Sequence, residues 1–170
     1  MAVEIIHFII TGGTIDSYYD GSKDTVVPHK SSVIPDFINS LNLHCKAVFT
    51  QVCMKDSRNL TPKDLKHVLN IIEKSRHKKI IVTHGTYTMA DTARYLKANL
   101  KKNENTIVIT GSLIPIIGFS PSDAPFNLGF AIAKVLDLEP DVYVCMNGRV
   151  FTSDKVTKII SQGRFASLLG

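Results

Sequence analysis

The sequence predicts an α/β fold, a three-layer domain in which an open, mostly parallel β-sheet carries helices on both faces. Short, continuous apolar runs alternate along the chain with segments whose apolar residues recur every three or four positions. The first pattern is typical of buried parallel strands and the second of amphipathic helices. A length of 170 residues with a hydrophobic fraction of 44% suits one domain with its own core. We therefore expect residues 1–170 to form a single flavodoxin-like or Rossmann-like domain.

Five apolar runs are predicted to be parallel strands of this sheet. They are Glu4–Ile10, His44–Cys53, Lys79–Thr83, Thr106–Thr110 and Asp141–Met146. The dipeptide Asn147-Gly148 then favours a tight turn. The chain is therefore expected to return as a short antiparallel strand over Arg149–Thr152, which forms a short C-terminal hairpin.

Four helices are predicted between the strands. They are expected around Ile34–Leu41, from Thr61 as N-cap, from about Thr88 to Leu100, and from about Ser122 to Leu138. The second has the clearest start, because Pro62 follows the N-cap and Asp64 stands at the third helical position. In the first, a buried face is expected to consist of Ile34, Phe37, Ile38 and Leu41.

The charge balance argues against a nucleic-acid partner. Lys and Arg number 20 and Asp and Glu number 15, and the excess of +5 is spread over predicted helix faces. No apolar run is long enough to cross a bilayer, and the first residues do not form a secretory signal. The three cysteines lie singly in apolar stretches, as is typical of reduced thiols in a cytosolic protein. We expect a cytoplasmic protein that binds neither nucleic acid nor membrane.

Small and hydroxyl-bearing residues follow four of the predicted strands. Thr14, Ser57, Thr86 and Ser112 each lie just beyond the carboxyl end of a strand. Because ligands of open parallel sheets bind at that edge, these hydroxyls are expected to converge on one polar pocket for a small molecule. Each of them taken singly is also an ordinary turn or N-cap residue.

Other kinds of site are not supported by spacing. The sequence has neither a Gly-x-Gly-x-x-Gly nor a Gly-x-x-x-x-Gly-Lys-Ser/Thr motif for phosphate binding. Its histidines and cysteines do not pair at the spacing of metal ligands, so we expect no metal and no cofactor. His84 is expected to be a structural residue at a strand end, because no Ser or Cys nucleophile elbow accompanies it.

Six blocks of sequence, in one order, resemble the bacterial-type L-asparaginase family. Ile10–Ile15 (ITGGTI) is similar to the first signature of that family and Val82–Met89 (VTHGTYTM) to the second. Further similarity lies at Lys55–Ser57, Ile109–Ser112, Asp123–Leu128, and from Met146 to Lys158. The blocks match only the family's N-terminal domain. The resemblance therefore implies a short, single-domain asparaginase-like protein without the family's smaller C-terminal domain.

The resemblance implies a hydrolase that converts the side-chain amide of asparagine, or of a related small carboxamide, into the acid and ammonia. On the matching positions, Thr14 is the nucleophile, Thr86 the second catalytic threonine and Lys158 the lysine that works with it. This chemistry is sound, because a threonine hydroxyl needs a nearby base and burial lowers the pKa of a lysine. Backbone N–H groups in a Gly-rich turn can hold the oxyanion that forms on the amide carbonyl.

Substrate binding is expected to involve Gly13, Asp56, Ser57 and Tyr87. The chain departs from the family at Tyr87, where the family carries an aspartate that is thought to anchor the amino group of the substrate. A phenol is neutral at pH 7 and cannot supply that charge. Three alternatives follow: another acid such as Asp16 or Asp56 substitutes, the substrate lacks the amino group, or activity is weak.

Residues Ile15–Ser32 are expected to form a long irregular loop, and loops of this length are more often functional than idle. By spacing, the loop tyrosine of the family falls near Val26 and Val27, which have no hydroxyl. Tyr18 or Tyr19 is the candidate for that role, with exposed loop aromatics as the alternative.

Two further expectations concern partners and class. The family completes each pocket with a residue from a neighbouring subunit's C-terminal domain, which the matched N-terminal domain does not supply. A homo-oligomer is expected, and the site is expected to be either more open or closed by a different dimer. A small amino-acid substrate is the expected ligand. The alternative function is an asparaginase-like module that binds an amino acid and has weak or no catalytic activity.

Overall fold

The computed structural model describes residues 3–168, and its core is a six-stranded sheet. The strands, in chain order, are β1 (Ile5–Gly12), β2 (Ser17–Asp20), β3 (Thr25–Pro28), β4 (Lys46–Lys55), β5 (Lys79–Thr83), β6 (Thr106–Thr110), β7 (Val142–Met146), β8 (Arg149–Thr152), β9 (Val156–Ile159) and β10 (Arg164–Ser167). The helices are α1 (Ile34–Ser40), α2 (Pro62–Lys74), α3 (Met89–Asn99) and α4 (Ala124–Asp137).

The predicted fold class is confirmed. The main sheet has the order β4-β1-β5-β6-β7-β8, in which the first five strands are parallel and β8 is antiparallel to β7. From β1 the chain crosses to β4 on one side and later to β5 on the other. This reversal leaves a crevice at the carboxyl end of β1, which is where ligands of such sheets bind.

Helices cover both faces of the sheet. One apolar layer packs α2 and α3 against the sheet, and the other packs α1 and α4. Neighbouring residues of β1 alternate between these layers: Ile9 belongs to the first, whereas Phe8 and Ile10 belong to the second. The central strands β5 and β6 are therefore apolar except at their ends.

The start of α2 is fixed by the predicted cap. The Thr61 side chain accepts a hydrogen bond from the Asp64 backbone N–H, and the Asp64 carboxylate accepts from the Thr61 N–H, which together form a capping box. Asp64 also pairs with Lys55 at 2.7 Å. Because Lys55 is the last residue of β4, this ion pair helps to hold the short turn that follows β4.

Two expectations for local structure were wrong. Residues Ile15–Ser32 are not irregular throughout, because they contain the antiparallel hairpin of β2 and β3. Leu41 lies beyond the end of α1 and is 42% exposed, so it does not share the helix's buried face. The chain also forms a second hairpin near its C-terminus, of β9 and β10, beside the predicted β7–β8 hairpin.

Among residues 3–168, no helix has both the length and the apolar composition that a bilayer-spanning segment needs.

Candidate active site

A polar cavity of about 230 Å³ lies at the predicted edge of the sheet. Its walls come from the turns after β1, β4 and β5 and from β9. The lining residues are Gly13, Thr14, Asp56, Ser57, Arg58, Gly85, Thr86, Tyr87 and Lys158. The structure thus brings the three predicted catalytic side chains and the four predicted substrate-binding residues to one cavity.

Close backbone packing brings the three turns together. Gly13 has a φ of 85°, and a Cβ on it would lie 2.4 Å from the Gly85 nitrogen. A Cβ on Gly85 would in turn lie 2.7 Å from the Ser57 Cβ. Glycine is required at both positions because any side chain would separate the turns. The cavity is therefore built on backbone contacts between segments distant in sequence.

Thr86 and Lys158 are in direct contact in this cavity. The Lys158 Nζ lies 2.7 Å from the Thr86 Oγ1, and Thr86 is only 6% exposed. Burial, and secondarily the charge of Arg58, lowers the pKa of the Lys158 amine. A lowered lysine pKa increases the share of neutral amine, which can accept a proton from the hydroxyl it touches.

Ser57 is held in place by Thr88, the N-cap residue of α3. Thr88 donates its backbone N–H to the Ser57 Oγ at 3.4 Å and its hydroxyl to the Ser57 carbonyl at 3.0 Å. Ser57 itself is 3% exposed. Its hydroxyl is therefore a fixed polar group on the cavity wall.

Arg58 lines the cavity and was not identified from the sequence. Its Nε and Nη2 donate to the two oxygens of Asp56 at 3.0 and 2.8 Å, and its Cζ lies 5.7 Å from the Tyr87 ring centroid. The pKa of the Asp56 carboxyl is lowered, chiefly by the hydrogen bonds from the Arg58 guanidinium. The signal in the sequence was the Asp-x-Arg spacing beside Ser57, at which an arginine can fold back onto the acid.

His84 lies behind the cavity and is fully buried, in line with the expected structural role. The Nδ1–H donates to the Gly85 carbonyl at 2.7 Å, so Nε2 accepts from the Thr92 hydroxyl at 2.9 Å. Burial lowers the pKa of the imidazole to about 4, so His84 is neutral near pH 7. Both ring nitrogens hold backbone or helix groups in position.

One detail of the expected site was wrong. Ser112 does not reach the cavity, because its hydroxyl donates to the Ile114 carbonyl and the side chain is fully buried. The Gly13 N–H is not available for an oxyanion, because it donates to the Lys55 carbonyl at 2.9 Å. Gly13 contributes to the cavity through its small size instead.

Tyr18 and Tyr19 lie on β2 and are not among the residues that line the cavity. The Tyr19 hydroxyl donates to Asp24, and the Tyr18 ring packs 5.0 Å from the His29 ring, centroid to centroid. Val26, on the facing strand, does approach Thr14: both line a neighbouring, largely apolar cavity of about 430 Å³.

Asp16, a proposed substitute acid, is fully buried two residues after Thr14. Its Oδ1 accepts the Val33 backbone N–H at 2.8 Å, and burial raises the pKa of the carboxyl. Asp16 does not line the cavity. Its hydrogen bond with Val33 holds the start of α1 in place.

The part of the chain that the structure describes contains no group of three or more His, Cys, Asp or Glu side chains placed to hold a metal ion.

Comparison with known proteins gives the same family as the motifs. A family model for the N-terminal domain of asparaginases matches residues 5–167. The glutaminase-asparaginase of Acinetobacter glutaminasificans is 29% identical over 164 residues, which are 90% of this chain and 49% of that protein. The L-asparaginase of Thermococcus kodakarensis is 28% identical over 160 residues, which are 90% of this chain and 47% of that protein.

Solved structures agree with the sequence matches. The thermostable L-asparaginase from Thermococcus kodakarensis superposes with a TM-score of 0.81 at 26% identity, over 96% of this chain and 51% of that one. The probable cytoplasmic L-asparaginase from Campylobacter jejuni gives a TM-score of 0.81 at 25% identity, over 96% and 53%. The chain spans about half the length of these relatives. On the family match, the shared fold and the ordered motifs, the chain belongs to the asparaginase family and corresponds to its N-terminal domain.

Proposed function

We propose that this protein is an amidohydrolase that converts a small carboxamide, asparagine or a related compound, into the acid and ammonia. The observation that carries the proposal is the contact between the Lys158 amine and the Thr86 hydroxyl, in a cavity that Thr14 also lines. A hydroxyl beside a partly desolvated amine is an arrangement suited to nucleophilic attack on an amide.

The proposed reaction has two stages. In the first, a threonine oxygen forms a bond to the amide carbon, its proton passes to the neutral Lys158 amine, and that proton then leaves with the amide nitrogen as the C–N bond breaks. The products are ammonia and an ester on the threonine. In the second, water attacks the ester carbon and gives a proton to the Lys158 amine, the C–O bond to the threonine breaks, and that proton passes to the threonine oxygen, which releases the acid and restores the hydroxyl.

Thr14 is the proposed nucleophile and Thr86 the proposed proton relay. Lys158 touches Thr86, so a proton from Thr14 would reach the amine through the Thr86 hydroxyl. The same contact permits the reverse assignment, in which Thr86 attacks directly. Mass analysis of a trapped ester, followed by peptide mapping, distinguishes the two.

The neighbouring groups are proposed to bind the substrate. The buried Ser57 hydroxyl offers a hydrogen bond, and Gly13 lets the turn after β1 pack directly against Gly85. Asp56 and Tyr87 complete the wall together with Arg58. The similarity to a glutaminase-asparaginase and an L-asparaginase supports an amide substrate.

The proposal is tested by following ammonia release from L-asparagine, L-glutamine and succinamate. We expect release by the unaltered protein and a loss of at least about 100-fold in Thr14→Ala and Thr86→Ala. Thr61→Ala is the matched control, since it removes a threonine hydroxyl outside the cavity. Micromolar amino-acid binding with no ammonia release would contradict the proposal and support the binding-module alternative.

A homo-oligomer and a cytoplasmic location remain predictions. Light scattering coupled to size-exclusion chromatography measures the first directly.

A further inference from the structure

The charged groups around the cavity are unequal in number. Three charged side chains line it: one carboxylate, Asp56, and two cations, Arg58 and Lys158. Among the described residues, no second carboxylate lines the cavity. Asp16 is buried elsewhere, where it accepts the Val33 backbone N–H at the start of α1. The cavity therefore carries one net positive charge when Lys158 is protonated and none when it is neutral.

The single carboxylate is already neutralised. The Asp56 Oδ1 accepts from the Arg58 backbone N–H at 2.9 Å and from its Nε at 3.0 Å, and Oδ2 accepts from Nη2 at 2.8 Å. Both oxygens therefore face the guanidinium. A ligand's ammonium group entering here would meet a paired acid, the Arg58 guanidinium and the Lys158 amine, and would lose its own hydration without gaining a free counter-charge.

Arg58 still has capacity for an anion. The hydrogen bonds to Asp56 use Nε and Nη2, and Nη1 donates no hydrogen bond to the described residues. The Tyr87 ring lies against the guanidinium, with Cζ 5.7 Å from the centroid. A planar guanidinium supported in this way is well suited to receive a carboxylate. Arg58 is 64% exposed, so a ligand from solvent can reach it.

We infer that the cavity accepts amides that carry a carboxylate and no ammonium group, and that Arg58 is the residue that sets this preference. That the ligand is an amide rests on the proposed function, whereas the preference for a ligand without an ammonium group concerns binding alone. Succinamate is the simplest such amide, since it is asparagine without its amino group. Succinate and L-aspartate are the corresponding products and differ in the same single group.

The experiment compares succinate and L-aspartate by titration calorimetry with the full chain, and succinamate and L-asparagine by ammonia release. We expect succinate to bind at least tenfold more tightly than aspartate, and succinamate to have the higher kcat/KM by a similar factor. Both ligands carry carboxylates, so the difference isolates the ammonium group.

Two variants test the role of Arg58 in opposite directions. Arg58→Gln releases Asp56 as a free carboxylate, so the preference for succinate should fall by about tenfold. Asp56→Asn releases the guanidinium, so succinate should bind more tightly than to the unaltered protein. Arg76→Gln, an exposed arginine in the turn before β5, is the matched control and should leave the preference unchanged.

The outcomes separate this inference from the proposed function. Tighter succinate binding without any turnover would support the inference and contradict the amidohydrolase. Turnover of asparagine in preference to succinamate, with tighter binding of aspartate, would overturn the inference and leave the amidohydrolase standing. Binding of neither ligand at millimolar concentration, or an unchanged preference in Arg58→Gln, would also overturn it.

Discussion

The protonation of Lys158 depends on its burial and on a charged neighbour. The Lys158 Nζ lies 2.7 Å from the Thr86 Oγ1, its proposed partner in proton transfer. The nearby Arg58 charge makes the protonated amine less favourable. Asp56 pairs with Arg58, and the Arg58 charge still lowers the pKa of the Lys158 amine. The proton affinity of one lysine is thus set by a neighbouring ion pair and by burial.

We predict that Arg58→Gln shifts the pH profile of kcat/KM to higher pH. Lys158 acts as a base only when neutral, so the rate rises as pH rises through its lowered pKa. Removing the Arg58 charge, and leaving the Asp56 carboxylate unpaired, favours the protonated amine and raises that pKa. The acidic limb of the profile, measured by ammonia release across pH, should therefore move upward.

Arg58→Lys keeps a positive charge at this position and should keep the limb near its original pH. Because Arg58 is largely exposed, high salt should reduce the difference between the unaltered protein and Arg58→Gln. A downward shift in Arg58→Gln, or an equal shift in Arg76→Gln, would be incompatible with this role.

At the scale of elements, the carboxyl ends of β1, β4 and β5 supply the cavity floor, and β9 supplies the lysine. The turn after β4 is short and charged, and it is tied to the first turn of α2 through the Lys55–Asp64 pair. The cap of α2 is therefore a contribution to stability that lies outside the cavity.

We predict that Thr61→Ala lowers the free energy of unfolding by about 1 kcal/mol, because it removes the N-cap of α2. Chemical denaturation measures the loss, and kcat/KM should change less than twofold. Asn70→Ala, at an exposed position within the same helix, is the control and should not be destabilising, since alanine is the better helix former. A loss of activity as large as that expected for Thr86→Ala would contradict the separation of cap and cavity.

Across the whole molecule, the sequence was sufficient for the sheet because its periodicity is unambiguous. Apolar runs such as Lys79–Thr83 could only be buried strands, and their parallel direction places the residues that follow them at one edge. That argument correctly brought Thr14, Ser57 and Thr86 together. It failed for Ser112, whose strand β6 lies one place further from the crevice and whose hydroxyl turns back to its own loop.

Other parts of the structure could not be predicted from hydrophobic periodicity, because they depend on contacts between segments that carry no such pattern. Lys158 lies on β9, a strand outside the main sheet, so only the family resemblance pointed to it. The β2–β3 hairpin was missed because each strand has four residues and the first, Ser-Tyr-Tyr-Asp, has the composition of a loop. The ion pair between Asp56 and Arg58 depends on the conformation of the turn after β4, which the sequence pattern does not reveal.

The most direct test of the account is the rate of ammonia release by Lys158→Met, a change that keeps the length of the side chain and removes the amine. With the better of succinamate and L-asparagine as substrate, we expect kcat/KM to fall by about 100-fold or more while the circular dichroism spectrum changes little. A Lys158→Met variant that releases ammonia within twofold of the unaltered rate would show that the Thr86–Lys158 contact is not the source of the proton transfer.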